Sequence, residues 1–187
     1  MIGNIQSFRG ITPKIADDAF VATTAVIVGD VEIASGANIW YHCVLRGDGH
    51  EIRVGKNANI QDGTVVHIAK SRFGAYIGDN VTIGHMALIH ACTLEPGSMV
   101  GMSATVMDGA VVEEGALVAA GALVTPGKRV KAGEMWGGSP ARFIRKVSES
   151  DIAMINRISP LYADLGAEYR EEGLDLRQNQ PFDEAAE

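Results

Sequence analysis

Three histidines, His67, His85 and His90, stand at spacings that could bring a metal ion between them. His67 and His90 each directly follow an aliphatic residue, and these two aliphatic residues are 23 positions apart. If that interval is one solenoid turn of about 18 residues plus a loop of about five, both histidines project from equivalent places on adjacent turns, with backbones about 5 Å apart. Two imidazoles at this separation can share one metal ion.

His85 is predicted on a different face of such a solenoid, so a neighbouring chain could supply it to the same metal. Three imidazole ligands with an open fourth position are typical of a catalytic zinc site, whereas structural zinc sites are closed by four protein ligands. The two cysteines, Cys43 and Cys92, are not needed for this site. His42 and His50 share no such register and are interpreted as surface residues.

A six-residue period would position these histidines, and it runs through most of the chain. Small residues follow most of its aliphatic positions four places later, and Gly, Asp or Asn recur between them. A helix needs apolar spacings of three and four, and an alternating strand needs a period of two, so neither explains the pattern. Each hexapeptide is therefore predicted to form a short strand and a turn. The aliphatic positions are Ile15, Val21, Ile27, Ile33, Ile39, Leu45, Val54, Ile60, Val66, Ile77, Ile83, Ile89, Leu94, Val100, Val106, Val112, Val118, Val124 and Val130.

The repeat over residues 11–141 resembles the hexapeptide-repeat family. The resemblance implies an all-β solenoid, a left-handed parallel β-helix of triangular cross-section with three hexapeptides in each turn. The composition fits a narrow interior with little room for rings, since 22 residues are glycine and only 6% are aromatic. We predict this β-helix for residues 1–147, C-terminal helices packing on it for residues 148–174, and an acidic, flexible tail for residues 175–187.

The period breaks twice, across residues 46–53 and residues 70–76, and each break predicts a loop. After the repeat, the sequence from Ser148 predicts a capped helix start. Ser159 and Pro160 read as the N-cap and first position of a second helix. Two C-terminal helices are therefore expected to cover the solenoid.

The polar segments around the histidines resemble the γ-class carbonic anhydrases and their bacterial relatives. The resemblance implies a homotrimer in which His67 and His90 of one subunit and His85 of the next bind one metal ion. Zinc is the expected metal, although Fe²⁺ and Co²⁺ also accept imidazole and water ligands. The segments that carry the resemblance are residues 46–48, 59–67 and 83–90.

The resemblance also implies the reaction, which is reversible hydration of CO₂ to bicarbonate. Zinc lowers the pKa of its bound water from 15.7 towards about 7 and so provides a hydroxide that attacks CO₂. By the same resemblance, Gln61 orients that water or hydroxide, Asn59 supports the substrate end of the pocket, and Tyr162 lines the pocket from the helical region.

Three further residues are expected to shape the site. Arg46 and Asp62 resemble a family pair that links subunits, and Asp48 is expected to belong to the same network. Two acidic residues associated with proton transfer in the family are missing, because Gly49 and Lys70 stand at the matching positions. Without such a shuttle, regeneration of the hydroxide, and hence turnover, is expected to be slow.

Charge and composition exclude several other classes. The net charge of −7 arises entirely from residues 148–187, because residues 1–147 carry 13 basic and 13 acidic side chains. This neutral body predicts no nucleic-acid surface. The sequence contains no apolar run of membrane-spanning length and no signal-peptide pattern, so we expect no membrane partner and a cytoplasmic location.

Three other functions remain open from the sequence. Hexapeptide-repeat acyltransferases use one histidine as a general base on coenzyme A thioesters, but this reading gives the Arg46, Gln61 and Asp62 cluster no role. A thioesterase acting on coenzyme A thioesters is a related possibility, since a metal hydroxide can also attack an acyl carbon. A non-catalytic metal-binding trimer would explain the missing shuttle carboxylates.

Overall fold

Backbone pairing between successive turns of the chain organises the structure. The structure is a computed structural model, and it describes residues 4–179. Over these residues the chain winds through about seven turns of a left-handed parallel solenoid and ends in one α-helix. Its strands are β1 (Ile5–Gln6), β2 (Lys14–Ile15), β3 (Phe20–Val21), β4 (Val26–Ile33), β5 (Asn38–Ile39), β6 (Val44–Val54), β7 (Asn59–Ile60), β8 (Val65–His67), β9 (Ala75–Ile77), β10 (Thr82–Ile83), β11 (Leu88–His90), β12 (Thr93–Leu94), β13 (Met99–Val100), β14 (Thr105–Val106), β15 (Val111–Val112), β16 (Leu117–Val118), β17 (Leu123–Val124), β18 (Arg129–Val130), β19 (Glu134–Gly137) and β20 (Arg142–Lys146). The helix α1 spans Glu149–Glu171, and a 3₁₀ turn spans Leu176–Asn179.

The strands form three faces. One face is an eight-stranded sheet in the order β20-β19-β16-β13-β10-β7-β5-β3. The second runs from β17 through β14, β11 and β8 to β6, and the third runs from β18 through β15, β12 and β9 to the same strand β6. Pairing is parallel except between β19 and β20. The predicted fold class is therefore confirmed.

The interior is filled by the two side-chain positions that the repeat predicts. The aliphatic position is buried from Val21 to Val130, and only Ile15, in the first turn, is partly exposed. The small residue four positions later is also buried, as at Ala25, Ala58 and Ala104, each 0% exposed. Packing of these two columns, rather than any large aromatic residue, forms the core.

The predicted loop over residues 46–53 is wrong. These residues continue the single strand β6, whose first half pairs with β8 and whose second half pairs with β9. Strand β4 runs alongside it and supplies partners for both halves, which keeps the added residues extended. The two backbones approach closely at Gly47, where a Cβ atom would lie 2.4 Å from the carbonyl oxygen of Asp30, so only glycine fits.

The predicted pair of helices is also wrong, because α1 is continuous and contains Pro160. Its start agrees with the prediction: Ser148 accepts a hydrogen bond from the backbone N–H of Asp151, and the Asp151 carboxylate accepts one from the backbone N–H of Ser148. Ser159 does not cap a second helix but donates from its hydroxyl to the carbonyl of Asn57, 2.7 Å away. This contact ties the middle of α1 to the solenoid. No helix among residues 4–179 has the length and apolar content needed to cross a membrane.

The segment after α1 closes the first turn of the solenoid. Leu176 is 5% exposed and belongs to the solenoid core, and Asp175 accepts a hydrogen bond from the backbone N–H of Val21. Arg177 donates to the carbonyls of Ala16 and Ala19. The first residues of the predicted flexible tail are therefore packed; residues 180–187 lie outside the described residues.

We expect Leu176→Ala to lower the free energy of unfolding by about 2–3 kcal/mol, because it leaves a cavity at the end of the core. Urea titration followed by circular dichroism measures this change. Leu174→Ala is the matched control, since Leu174 lies in the same segment but is 39% exposed. An equal effect of the two substitutions would contradict the assigned packing of Leu176.

The Asp175 carboxylate should make the stability of the fold depend on pH. Burial opposes its ionisation, but hydrogen bonds from Arg177 and Val21 lower its pKa below the ordinary 3.8. The ionised group therefore stabilises the fold above that pH, and the contribution is lost as the pH falls through the lowered pKa. The melting temperature of Asp175→Asn should lie below that of the native chain near neutral pH, and the difference should close below pH 3.8. Asp17→Asn is the control: Asp17 is exposed, so this substitution should produce no such pH-dependent difference in melting temperature.

Candidate metal centre

His67 and His90 occupy the positions that the sequence predicts. Strands β8 and β11 pair in parallel, with His67 directly opposite His90. Their ring centroids are 5.2 Å apart, and Nδ1 of His67 lies 3.3 Å from Nε2 of His90. Both side chains are largely covered but reach the surface, with 21% and 28% exposed. The predicted register is therefore confirmed.

The distance between these two nitrogens suits a shared metal ion. Two nitrogen ligands of a tetrahedral zinc ion, each at about 2.0–2.1 Å, lie roughly 3.3–3.4 Å apart. The facing nitrogens of His67 and His90 have this separation. The residues present therefore fit two positions of a metal site.

A carboxylate flanks each imidazole on its outer side. Oδ1 of Asp48 lies 3.1 Å from Nε2 of His67, and Oδ1 of Asp108 lies 2.6 Å from Nδ1 of His90. Arg46 forms an ion pair with Asp48. Burial would raise the pKa of Asp48, but hydrogen bonds from His67 and Arg46 lower it below its ordinary value. These five residues are called the paired-histidine cluster below.

His85 lies elsewhere, in the turn that precedes β11. Its Nδ1 is 2.8 Å from Oδ2 of Asp62, whose other oxygen accepts a hydrogen bond from the backbone N–H of Tyr41. Within residues 4–179 of one chain, no three His, Cys, Asp or Glu side chains converge on a point where they could hold a metal. A single chain thus presents two of the three predicted ligands together, and the third is separate.

Gln61 lies next to Asp62 at the corner between β7 and β8, and Asn59 is the first residue of β7. Both side chains are buried, at 5% and 0% exposed. Oδ1 of Asn59 accepts a hydrogen bond from the Trp40 indole, whereas its Nδ2 has no hydrogen-bond partner within the described part of the chain. The Tyr162 ring packs edge-on against Trp40 at 5.5 Å.

Tyr162 belongs to the same corner. Burial, together with the negative charge of Asp62, raises the pKa of the Tyr162 phenol. Helix α1 contributes this tyrosine to the corner, where its ring packs on Trp40. Together these residues form the corner cluster: Asn59, Gln61, Asp62, His85 and Tyr162.

The predicted site residues thus fall into two groups at opposite ends of the same strands. The corner cluster precedes β8 and β11, and the paired-histidine cluster lies where these strands end. Arg46 and Asp62, expected to pair, are in different groups within one chain: Arg46 contacts Asp48, and Asp62 contacts His85.

Sequence reasoning missed Asp108 and the aromatic support around Trp40. Asp108 lies 18 residues after His90, but the pairing of Ile89 with Val106 places Met107 opposite His90, so the repeat alone does not predict this contact. The part played by Trp40 depends on where α1 crosses the solenoid, which the repeat does not specify.

The positions that lack the expected acidic residues lie side by side. A Cβ atom at Gly49 would be 2.8 Å from Cγ of Lys70, so the lysine stem fills the space beside this glycine. The carboxylate of Glu51 accepts a hydrogen bond from Tyr76. His50 lines a cavity of about 240 Å³ together with Asp48. His50 therefore lies next to the paired-histidine cluster, of which Asp48 is a member.

Neither cysteine offers a ligand. Burial raises the pKa of both Cys43 and Cys92 to about 12, which keeps each thiol protonated. The Cys43 thiol donates to the carbonyl of Gln61.

Comparisons with known proteins agree with this fold. The chain is 48% identical over 158 residues to "Gamma carbonic anhydrase 1, mitochondrial" of Arabidopsis thaliana, covering 82% of this chain and 58% of that protein. It is 37% identical over 166 residues to "Carbonic anhydrase" of Geobacillus kaustophilus, covering 89% of this chain and 91% of that protein. No protein-family model matches. With 58% of the plant protein covered, the chain spans less than two thirds of the length of that relative.

A solved structure described as a hexapeptide transferase family protein from Anaplasma phagocytophilum superposes with a TM-score of 0.86 at 46% identity, covering 90% of this chain and 99% of that one. The solenoid and its repeat define a hexapeptide-repeat protein. Within that class, the chain belongs to the γ-carbonic-anhydrase-like family.

Proposed function

We propose that this protein is a metal-dependent carbonic anhydrase that hydrates CO₂ reversibly to bicarbonate at the subunit interfaces of a homotrimer. The observation that supports this most directly is the 3.3 Å separation between the facing nitrogens of His67 and His90. In the proposed trimer, the paired-histidine cluster of one chain meets the corner cluster of the next. His85 of the partner subunit then becomes the third ligand.

The surface beside the histidines supports such an assembly. Val65 and Leu88 lie two residues before His67 and His90 on the same strands, and both are more than a third exposed. Met86, beside His85, is 67% exposed. Apolar side chains grouped next to polar ones on a sheet face are typical of surfaces that another protein covers.

The division of the site residues between two clusters gives each a role. When bound, Zn²⁺, or Fe²⁺ or Co²⁺ in its place, supplies a Lewis acid that makes water nucleophilic near neutral pH. His67 and His90 would hold the metal, and Arg46 would keep Asp48 against His67. Gln61 would orient the attacking water by hydrogen bonding, and the Nδ2 amide of Asn59, which has no partner among residues 4–179, would support substrate.

Proton removal is expected to limit the rate. Each hydration releases one proton, which must reach buffer before the next turnover. Gly49 and Lys70 supply no carboxylate at the positions where the resemblance implies one, and His50 is the imidazole in the cavity that Asp48 also lines. We therefore expect modest turnover that rises with buffer concentration.

Metal content tests the site. Protein purified anaerobically without chelator should contain about one Zn or Fe per chain, because three histidine ligands hold each ion. His90→Ala should lose this metal and reduce CO₂ hydration, followed by stopped flow with a pH indicator, to background. His42→Asn is the matched control, because His42 is exposed, and its φ of 60° is one that asparagine tolerates.

Two results would redirect the proposal. Full metal loading with no CO₂ hydration would favour the non-catalytic metal-binding trimer. Absence of metal even after reconstitution would remove the basis for a metal-dependent reaction, and coenzyme A thioesters would become the next substrates to assay.

Mixed trimers test the shared interface. His85→Ala and His67→Ala should each be inactive alone, because each variant removes one ligand from every site. After co-assembly, a trimer that contains both variants has one intact site, so about one third of the activity of a native trimer should return per mixed trimer. Two inactive chains that stay inactive together, with mixed trimers verified by mass spectrometry, would rule out a site built from His67 and His85 of different chains.

A further inference from the structure

Asp108 lies in the turn between β14 and β15, and its carboxylate contacts His90. Oδ1 of Asp108 is 2.6 Å from Nδ1 of His90, and the two side chains are 30% and 28% exposed. An ionised carboxylate only accepts hydrogen bonds, so this contact favours the tautomer of His90 that carries its proton on Nδ1. In that tautomer the lone pair is on Nε2, the nitrogen that faces His67.

We propose that Asp108 is a positioning residue for the metal site: it fixes His90 in the Nδ1–H tautomer, so that Nε2 is the atom offered to the metal. This inference deepens the proposed function and, for the metal, rests on it. A carboxylate that accepts the outer N–H of a histidine ligand fixes the ring orientation and raises the basicity of the ligand nitrogen.

The two imidazoles are bracketed in the same way. Asp48, His67, His90 and Asp108 succeed one another on four adjacent turns, with each carboxylate on the outer nitrogen of its histidine. With both outer nitrogens protonated, the inner nitrogens present two lone pairs across 3.3 Å. Two lone pairs at this distance repel unless a cation lies between them, so the carboxylates prepare the pair for a positive ion.

The Asp108 side chain is not required to build its turn. The backbone there is held by pairing between turns: the Gly109 N–H donates to the Ala91 carbonyl, and the Gly127 N–H donates to the Asp108 carbonyl. Within the described residues, His90 is the hydrogen-bond partner of the Asp108 carboxylate. Glu114 likewise precedes a glycine with positive φ, but its side chain is exposed. The turn therefore forms without a histidine contact.

Zinc affinity tests the proposal on the full chain. Metal-stripped protein is titrated with Zn²⁺ against a chromophoric chelator. Asp108→Ala should weaken binding about 10–100-fold, and Asp108→Asn, which keeps an acceptor oxygen without the charge, should fall between. Glu114→Gln, the matched control from the neighbouring turn, should bind like the native protein. Circular dichroism and the mass of the assembly should be unchanged in all three variants. Native affinity in Asp108→Ala would overturn the proposal.

A second measurement reads the tautomer without metal. In metal-free protein labelled with ¹⁵N-histidine, and with the His90 signals assigned from His90→Gln, Nε2 should show the shift of an unprotonated nitrogen above neutral pH. Asp108→Ala should move His90 towards the Nε2–H form, which a purely structural role would not do. An Nε2–H form in the native protein would overturn the proposal. Native protein that takes up no metal, yet shows the Asp108-dependent tautomer, would remove the proposed function and leave this positioning role standing.

Discussion

The register between adjacent turns of the solenoid is the constraint on which the site depends. Backbone hydrogen bonds fix which residue lies above which, and His67 lies opposite His90 because the loop between β8 and β9 is accommodated outside the ladder. A slip of one residue would turn one imidazole into the core, since successive side chains of a strand point to opposite sides. The turns on either side carry the carboxylates that contact the imidazoles: Asp48 contacts His67, and Asp108 contacts His90. No flexible element has to close to bring these four side chains together.

The corner cluster and the paired-histidine cluster lie at opposite ends of β8 and β11. A single chain therefore does not bring all three predicted metal ligands together. The paired-histidine cluster has two imidazoles but lacks a third ligand, whereas the corner cluster has His85 and buried amides but a single imidazole. The backbone of each cluster belongs to the solenoid, except that of Tyr162, which lies on α1. Catalysis in the proposed trimer would depend on how accurately two preformed surfaces meet, and Val65, Leu88 and Met86 provide apolar area for that contact.

The sequence predicts the solenoid and the His67–His90 register well, because both follow from a period that each turn repeats. The sequence predicts the wrong local structure where contacts between distant segments determine the conformation. Residues 46–53 look like a loop by period, yet pairing to β4 keeps them extended. Ser159 and Pro160 look like a helix start, yet a hydrogen bond from Ser159 to Asn57 and packing of Tyr162 on Trp40 accompany a helix that continues through the proline. Asp108 was missed because its role depends on a side-chain direction rather than on a motif.

The segment from Asp175 to Arg177 gives the molecule a further property. A solenoid whose turns contact only their neighbours can fray from either end, since each turn unfolds almost independently. Here the N–H of Val21 is held by Asp175, 154 residues away, and the Leu176 side chain sits in the core of the first turns. The first turn therefore cannot open without releasing the segment from Asp175 to Arg177, and helix α1 must detach in the same step. The solenoid and the helix therefore unfold together as one cooperative unit. Folding is expected to be slow at the step that forms this contact, because the two segments are far apart in sequence.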